Sequence, residues 1–266
     1  YATGGSGSST AKRFNKNPFG GKFRFRGHAE PQFWRWVCSW ARAIRKPSDL
    51  GFDDSNFKLP KLITRQHVIQ SNSTPPGFLF PMEAHGLKEQ RDERRRTIVQ
   101  RCEKAAELAN KEKSATISWC NLNPEGKLLA KLIDGAVEIF GNDSDERKEE
   151  VFAAFSNGEI AKLVTKKSIA GFGLYWQHCH HQTYFPDHSF EGWYQCVRRS
   201  WRFGQKHPVK IDVVTSEGES RILKSLERKS IQAEKMFSQL VDLMNDSLHL
   251  QKSNPYTKPE TLPEWL

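Results

Sequence analysis

Cysteine is scarce in this sequence. Among 266 residues there are 5 cysteines, Cys38, Cys102, Cys120, Cys179 and Cys196, widely spaced and without a C-x-x-C pair. An odd, scattered set excludes a disulfide framework and a zinc ribbon, and fits a reducing cytoplasm. No run of about 18 apolar residues occurs, so no membrane-spanning helix is expected. A charged-then-apolar leader is missing, so no secretory signal is expected, and Tyr1 in place of Met points to a piece of a longer polypeptide. No internal repeat is visible, and no Ser/His/Asp or Cys/His constellation is legible.

What is present is bulk and positive charge. At 37% hydrophobic residues, with 8 Trp and 17 Phe, the chain can build a core. A formal net charge of +10 fits a polyanion partner, of which nucleic acid is the commonest, because neutralised phosphates release counterions. A basic excess alone does not name its partner, and general solubility charge is the plainer alternative.

Residues 1–26 read as a lead-in, first flexible at Gly4-Gly5-Ser6-Gly7, then basic and aromatic from Arg13 to Arg26. That second stretch suits stacking along a phosphate backbone and, equally, a surface loop against a neighbour. Apolar positions at 33, 36, 37, 40, 41 and 44 have helical spacing, which favours a packed helix over an aromatic cage. Lys46-Pro47-Ser48-Asp49-Leu50-Gly51 ends it with turn chemistry. Residues 59–70 read as extended, 72–77 as a loop and 86–113 as one charged helix. Its run Arg91-Asp92-Glu93-Arg94-Arg95-Arg96 reads as a solvated helix face.

From residue 115 strands alternate with helices. Strands are expected at 115–119, 136–140, 162–165, 182–185 and 209–215. Helices are expected at 124–133, at 145–155 behind the cap Ser144, at 189–202, and in a long final stretch with Ile222, Leu226, Phe237, Val241 and Met244 on one stripe. This alternation predicts an α/β fold with a parallel sheet covered by helices on both faces, a helical N-terminal segment and a long C-terminal helix.

The chemistry concentrates in Gln195-Cys196-Val197-Arg198-Arg199-Ser200-Trp201-Arg202-Phe203-Gly204-Gln205. Arg199 and Arg202, three residues apart, are expected on one helix face, where two guanidinium groups can clamp phosphates. This pattern resembles motif VI of superfamily 2 helicases in the form used by Swi/Snf-type translocases. Leu163 to Gln177, with Thr165, Lys166, Ser168, Gly171 and Gly173, looks like motif V of the same family, which usually has Asn where this chain has Tyr175. Ala115 to Asn123 resembles motif IV. The likeness runs over residues 115–215 and is nearest to helicase-like proteins of phages and prophages, whose K-P-S-D-L-G-F element matches Lys46 to Phe52.

The resemblance implies a RecA-like C-terminal lobe over 86–250, an inter-lobe or end-of-first-lobe segment over 27–85 and a tail over 251–266. It implies Arg202 as arginine finger with Arg199 beside it. Gln195, Gly171, Gly173 and Gln205 would serve the nucleotide, and Thr165, Lys166 and Ser168 the nucleic acid. ATP and Mg2+ would be held mainly by a second lobe, and the partner would be DNA, with RNA left open. No G-x-x-x-x-G-K-[ST] and no D-E-A-D or D-E-A-H string occurs, so this chain alone is not expected to hydrolyse ATP. The rival reading is a non-catalytic binding module derived from such a lobe. Gln177-His178-Cys179-His180-His181 with His188 has no standard zinc spacing and is read as packing, so no metal site is expected.

Overall fold

The computed structural model describes residues 29–41, 44–70, 87–170 and 173–252. The chain divides into two compact units, one drawn from Tyr1–Asn56 and Ile231–Leu266, the other from Phe57–Ser230. In the first, helix α1 spans Ala29–Trp40. A short 3-10 turn, Pro47–Leu50, follows it and closes on Gly51 at φ 79°, a left-handed position that glycine takes without strain. Asp49 is buried there and accepts from the Arg45 backbone N–H at 2.9 Å, while Arg45 also pairs with Glu234 at 2.8 Å.

The second unit holds a six-stranded sheet in the order β1-β6-β5-β2-β4-β3, with every pairing parallel. The strands are β1 (Leu62–Ile69), β2 (Thr116–Cys120), β3 (Ala136–Glu138), β4 (Lys162–Lys166), β5 (His181–Tyr184) and β6 (Val209–Ser216). Helices α2 (Leu87–Arg96), α3 (Ile98–Lys111), α4 (Asn123–Leu132), α5 (Asp145–Ser156), α6 (Lys167–Ala170) and α7 (Phe190–Ser200) connect them, and α8 runs over Ser220–Lys252. The expected α/β architecture with a parallel sheet is therefore what forms.

Side-chain alternation along the strands divides the core in two. Ile117, Trp119, Leu163, Ile211 and Val213 pack under Phe152 and Phe155 of α5 and Cys196 and Val197 of α7. Cys120, Val164 and Val214 pack on the other face, under Ala105, Ala106 and Ala109 of α3 and Leu129 of α4. Toward the strand starts that second face becomes polar. Buried Asp212 accepts a forked pair of bonds from Arg65, both 2.7 Å, and contacts His67 and His181 at 2.8 Å each. All five cysteines are free and buried.

Three expectations shift. The helix read across 86–113 breaks at Thr97, whose hydroxyl turns back onto the Glu93 carbonyl at 2.8 Å, giving α2 and α3. The helix read to residue 202 stops at Ser200, because Trp201 leaves helical geometry (φ −89°, ψ 80°) to donate its indole N–H to the Pro60 carbonyl at 2.7 Å. Arg202 therefore sits in the turn beyond α7 and not on its face. The extended segment at 59–70 is β1, the edge partner of β6, so the sheet begins inside the stretch expected to join two lobes. The lead-in over 1–26, the loop at 72–77, Gly171 and the tail from 253 lie outside the described residues. Among the described residues no helix is long and apolar enough to cross a membrane.

Candidate functional site

In a parallel sheet all strands start on one edge and end on the other, and the predicted site residues separate onto these two edges. The starting edge receives the end of α7. Arg199 is 5% exposed, and its guanidinium donates to the Leu174 carbonyl at 2.6 Å and to Gln195 Oε1 at 3.4 Å. Burial, with the neighbouring Arg202 charge adding to it, lowers the Arg199 pKa from its ordinary value. The Arg202 guanidinium lies 3.9 Å from the centre of the Tyr175 ring, a cation–π stack on an aromatic that is itself exposed. Tyr175 thus carries an arginine where the resembled family usually has Asn.

Gln205 is buried, and its amide donates to the carbonyls of Gln177 (2.7 Å), Cys179 and Ser200 (3.2 Å each). Its Oε1 accepts from the His207 N–H at 2.9 Å. The side chain is therefore spent on tying the turn after α7 to the segment leading into β5. Gly204, at φ 93°, makes that turn possible. Gly173 has φ 79° with open space around it, so backbone conformation and not crowding explains the glycine.

The finishing edge carries a different site. An open cavity of about 390 Å³ is lined by Arg91, Arg94 and Arg95 of α2, by Cys120, Asn121 and Leu122 after β2, and by Lys166, Lys167, Ser168 and Asp187. Ligands of open α/β sheets bind outside such strand ends. Five cations and one carboxylate line it, so the lining carries a net positive charge. Lys166 reaches Asn123, and Lys167 pairs with Asp187. Ser168 is exposed on the lining, whereas Thr165 is fully buried beneath it, inside β4. Glu138, ending β3, is pushed up to about 7 by burial, against the pull of nearby Lys127 and Lys166. It packs so close to α4 that a Cβ on Gly126 would lie 2.1 Å from its Oε1.

The walls of this cavity are pinned from inside. Arg101 and Glu125, 1% and 0% exposed, form an ion pair at 2.8 Å. Glu125 also accepts from the N–H groups of Asn121 and Leu122 at 2.9 Å each, which caps α4. Arg101 donates to the Arg94 carbonyl at 2.6 Å and lies 4.8 Å from the centre of the Phe185 ring. One buried pair thereby joins α2, α3, α4 and the end of β5.

Sequence reading missed Arg91, Arg94 and Arg95 as lining residues. The signal was available in their spacing, since i, i+3 and i+4 share one helix face, while Arg96 pairs with Glu93. One stretch connects the two edges. It leaves β4 at Lys166 beside the cavity, forms α6, and from Gly173 reaches the starting edge, where Leu174 and Tyr175 hold the two arginines. Among the described residues no three His, Cys, Asp or Glu side chains are grouped to hold a metal ion.

No family model and no curated protein matches the chain. Among solved structures it is similar to the C-terminal part of the Fun30 ATPase domain, with a TM-score of 0.42 and 14% identity over 57% of this chain and 54% of that one. The chain spans about half the length of that structure.

Proposed function

We propose that this chain is the C-terminal lobe of an ATP-dependent DNA helicase or translocase. It supplies Arg199 and Arg202 to an ATP site completed by a second lobe, and grips nucleic acid at the opposite sheet edge. The observation that carries this reading is the stretch from Lys166 to Tyr175, which begins at a basic cavity and ends under two arginines. A motor needs its track and its fuel mechanically joined, and one segment running from the basic cavity to the two arginines would supply that link.

The arginines suit phosphate. Arg202 is half-buried, with its guanidinium over the Tyr175 ring, and Arg199 is fixed by a backbone carbonyl. Such groups stabilise charge that develops during phosphoryl transfer without reorganising. Mg2+ and the β- and γ-phosphates would be held by the other lobe, since the sequence contains no glycine-rich phosphate loop. Lys166 and Ser168 would face the nucleic-acid backbone, with Thr165 shaping the strand end beneath them.

The test is DNA-stimulated ATP hydrolysis by the full open reading frame, beside its Arg202→Ala variant. Activity lost with Arg202 supports the motor reading. A chain that binds DNA with no ATP hydrolysis in any form, indifferent to Arg202, would be the non-catalytic binding module instead.

A further inference from the structure

We propose that α2 is the second wall of the nucleic-acid cleft, with Arg91 and Arg95 gripping one phosphodiester strand opposite Lys166 and Ser168. The inference rests on the nucleic-acid half of the function proposed above and assigns residues that the motif resemblance does not reach.

Four observations lead to it. Arg91, Arg94 and Arg95 share one face of α2, and all three line the cavity. Of these, Arg94 is occupied, donating to Glu219 at 2.7 Å and to the Pro186 carbonyl at 3.0 Å. Arg91 and Arg95 are exposed and have no hydrogen-bond or ion-pair partner among the described residues. Like charges one helical turn apart repel, so the pair is unfavourable until an anion lies between them. Third, α2 is not free to swing away. Arg101 holds its Arg94 carbonyl from below, and Glu219, itself accepting from the Ser216 N–H at 3.2 Å, holds the Arg94 side chain from beside it.

Fourth, the dimensions suit a single backbone. About 390 Å³ is the small end of ligand-pocket volumes, enough for a short stretch of sugar-phosphate and too little to enclose a duplex. Arginine is also the side chain whose fork matches a phosphate with two parallel bonds, which lysine cannot do. The opposing wall supplies a point charge from Lys166 and a hydroxyl from Ser168. One strand lying between them would be clamped by arginine on one side and positioned by the start of the connecting segment on the other.

The experiment is fluorescence anisotropy of the whole chain with labelled oligo-dT and with a labelled duplex, over about 50 to 200 mM salt. Each phosphate contact adds about 0.7 to the log–log salt slope on a single strand and about 0.9 on a duplex. The variant Arg91→Gln/Arg95→Gln should therefore bind more weakly, with the slope reduced by about 1.4 on the single strand or about 1.8 on the duplex. Which probe shows the loss tells whether the strand is presented alone or within a duplex. Arg91→Lys/Arg95→Lys should restore most of the slope, because the charge remains.

An unchanged slope and affinity in the glutamine variant, with the parent chain binding normally, would overturn the inference and leave the motor reading intact. So would a lysine variant with a slope as low as the glutamine one, since retained charge should still release counterions. Equal loss from Arg199→Gln/Arg202→Gln would put the strand on the other sheet edge and overturn it too. A parent chain with no salt-dependent binding to either probe would remove both this inference and the nucleic-acid half of the proposed function.

Discussion

The two edges of the sheet handle positive charge in opposite ways. At the starting edge Arg199 is withdrawn from water and fixed by a carbonyl, and Arg202 lies over a ring. At the finishing edge the fixing is done by residues beneath, chiefly Arg101 and Glu125, and the lining arginines Arg91 and Arg95 are left in solvent. The first arrangement gives few charges in defined positions, which suits a small ligand whose charge changes during reaction. The second gives a field of several charges tolerant of position, which suits a repeating polyanion. Burial therefore distinguishes the two edges where composition does not, since both are arginine-rich.

The sharpest way to break this contrast is at Arg202. In the full open reading frame, Arg202→Ala should lower ATP turnover by about 10³-fold or more, the usual worth of an arginine finger, with DNA affinity unchanged. Parallel loss of turnover and binding would mean the edges are not separate sites. Next in size, Arg101→Met should destabilise the chain by about 3–5 kcal/mol, read as a lower urea midpoint, because it leaves the Glu125 carboxylate buried and unpaired. A cost under 1 kcal/mol would show that the finishing edge needs no such pin.

Smaller still is Tyr175→Ala. Losing the ring under Arg202 should cost about 0.5–1 kcal/mol of stability by thermal melting, yet lower turnover more than Tyr175→Phe does, since Phe keeps a face for the guanidinium. Equal turnover in the two variants would remove the ring's role.

The mildest expected effect concerns pH. With its folded pKa raised to about 7, Glu138 is ionised above that value and protonated below it, so its negative charge beside Lys166 fades as pH falls from about 8 to about 6. Nucleic-acid affinity should rise modestly over that interval, and Glu138→Gln should flatten the dependence. Asp212 runs the other way in stability. Burial alone would raise its pKa, but hydrogen bonds from His181, Arg65 and His67 prevail and hold it well below the ordinary carboxylate value. The stability it contributes is complete above about pH 4 and is lost as pH falls below that.

The parallel sheet was legible because helix and strand periods alternate from residue 115 with caps at the right places, as Ser144 shows by accepting from the Arg147 N–H. The turn at Arg202 was not, because it depends on Trp201 finding the Pro60 carbonyl 141 positions away. No local pattern announces such a bond. The α2 wall was hidden for a related reason. Its arginine stripe is visible in the sequence, but a stripe reads as solvated until the opposing wall, built from residues 120–122 and 166–168, is known to face it. Gln205 shows a third limit. Its spacing from the arginines marks it as a motif residue, yet only three-dimensional neighbours reveal that all its bonds go to backbone.

The buried cysteines have a practical consequence. Burial pushes the Cys102 and Cys196 thiols up to about 12 and Cys179 to about 11, and raises Cys120 as well. Thiolate, not thiol, attacks alkylating reagents, so these native sulfurs are slow to react while the chain stays folded. A single cysteine placed at position 95 or 203, one on each edge, would take up a dye selectively against that quiet background. The distance between two such dyes, followed in real time, could then report whether the edges move together.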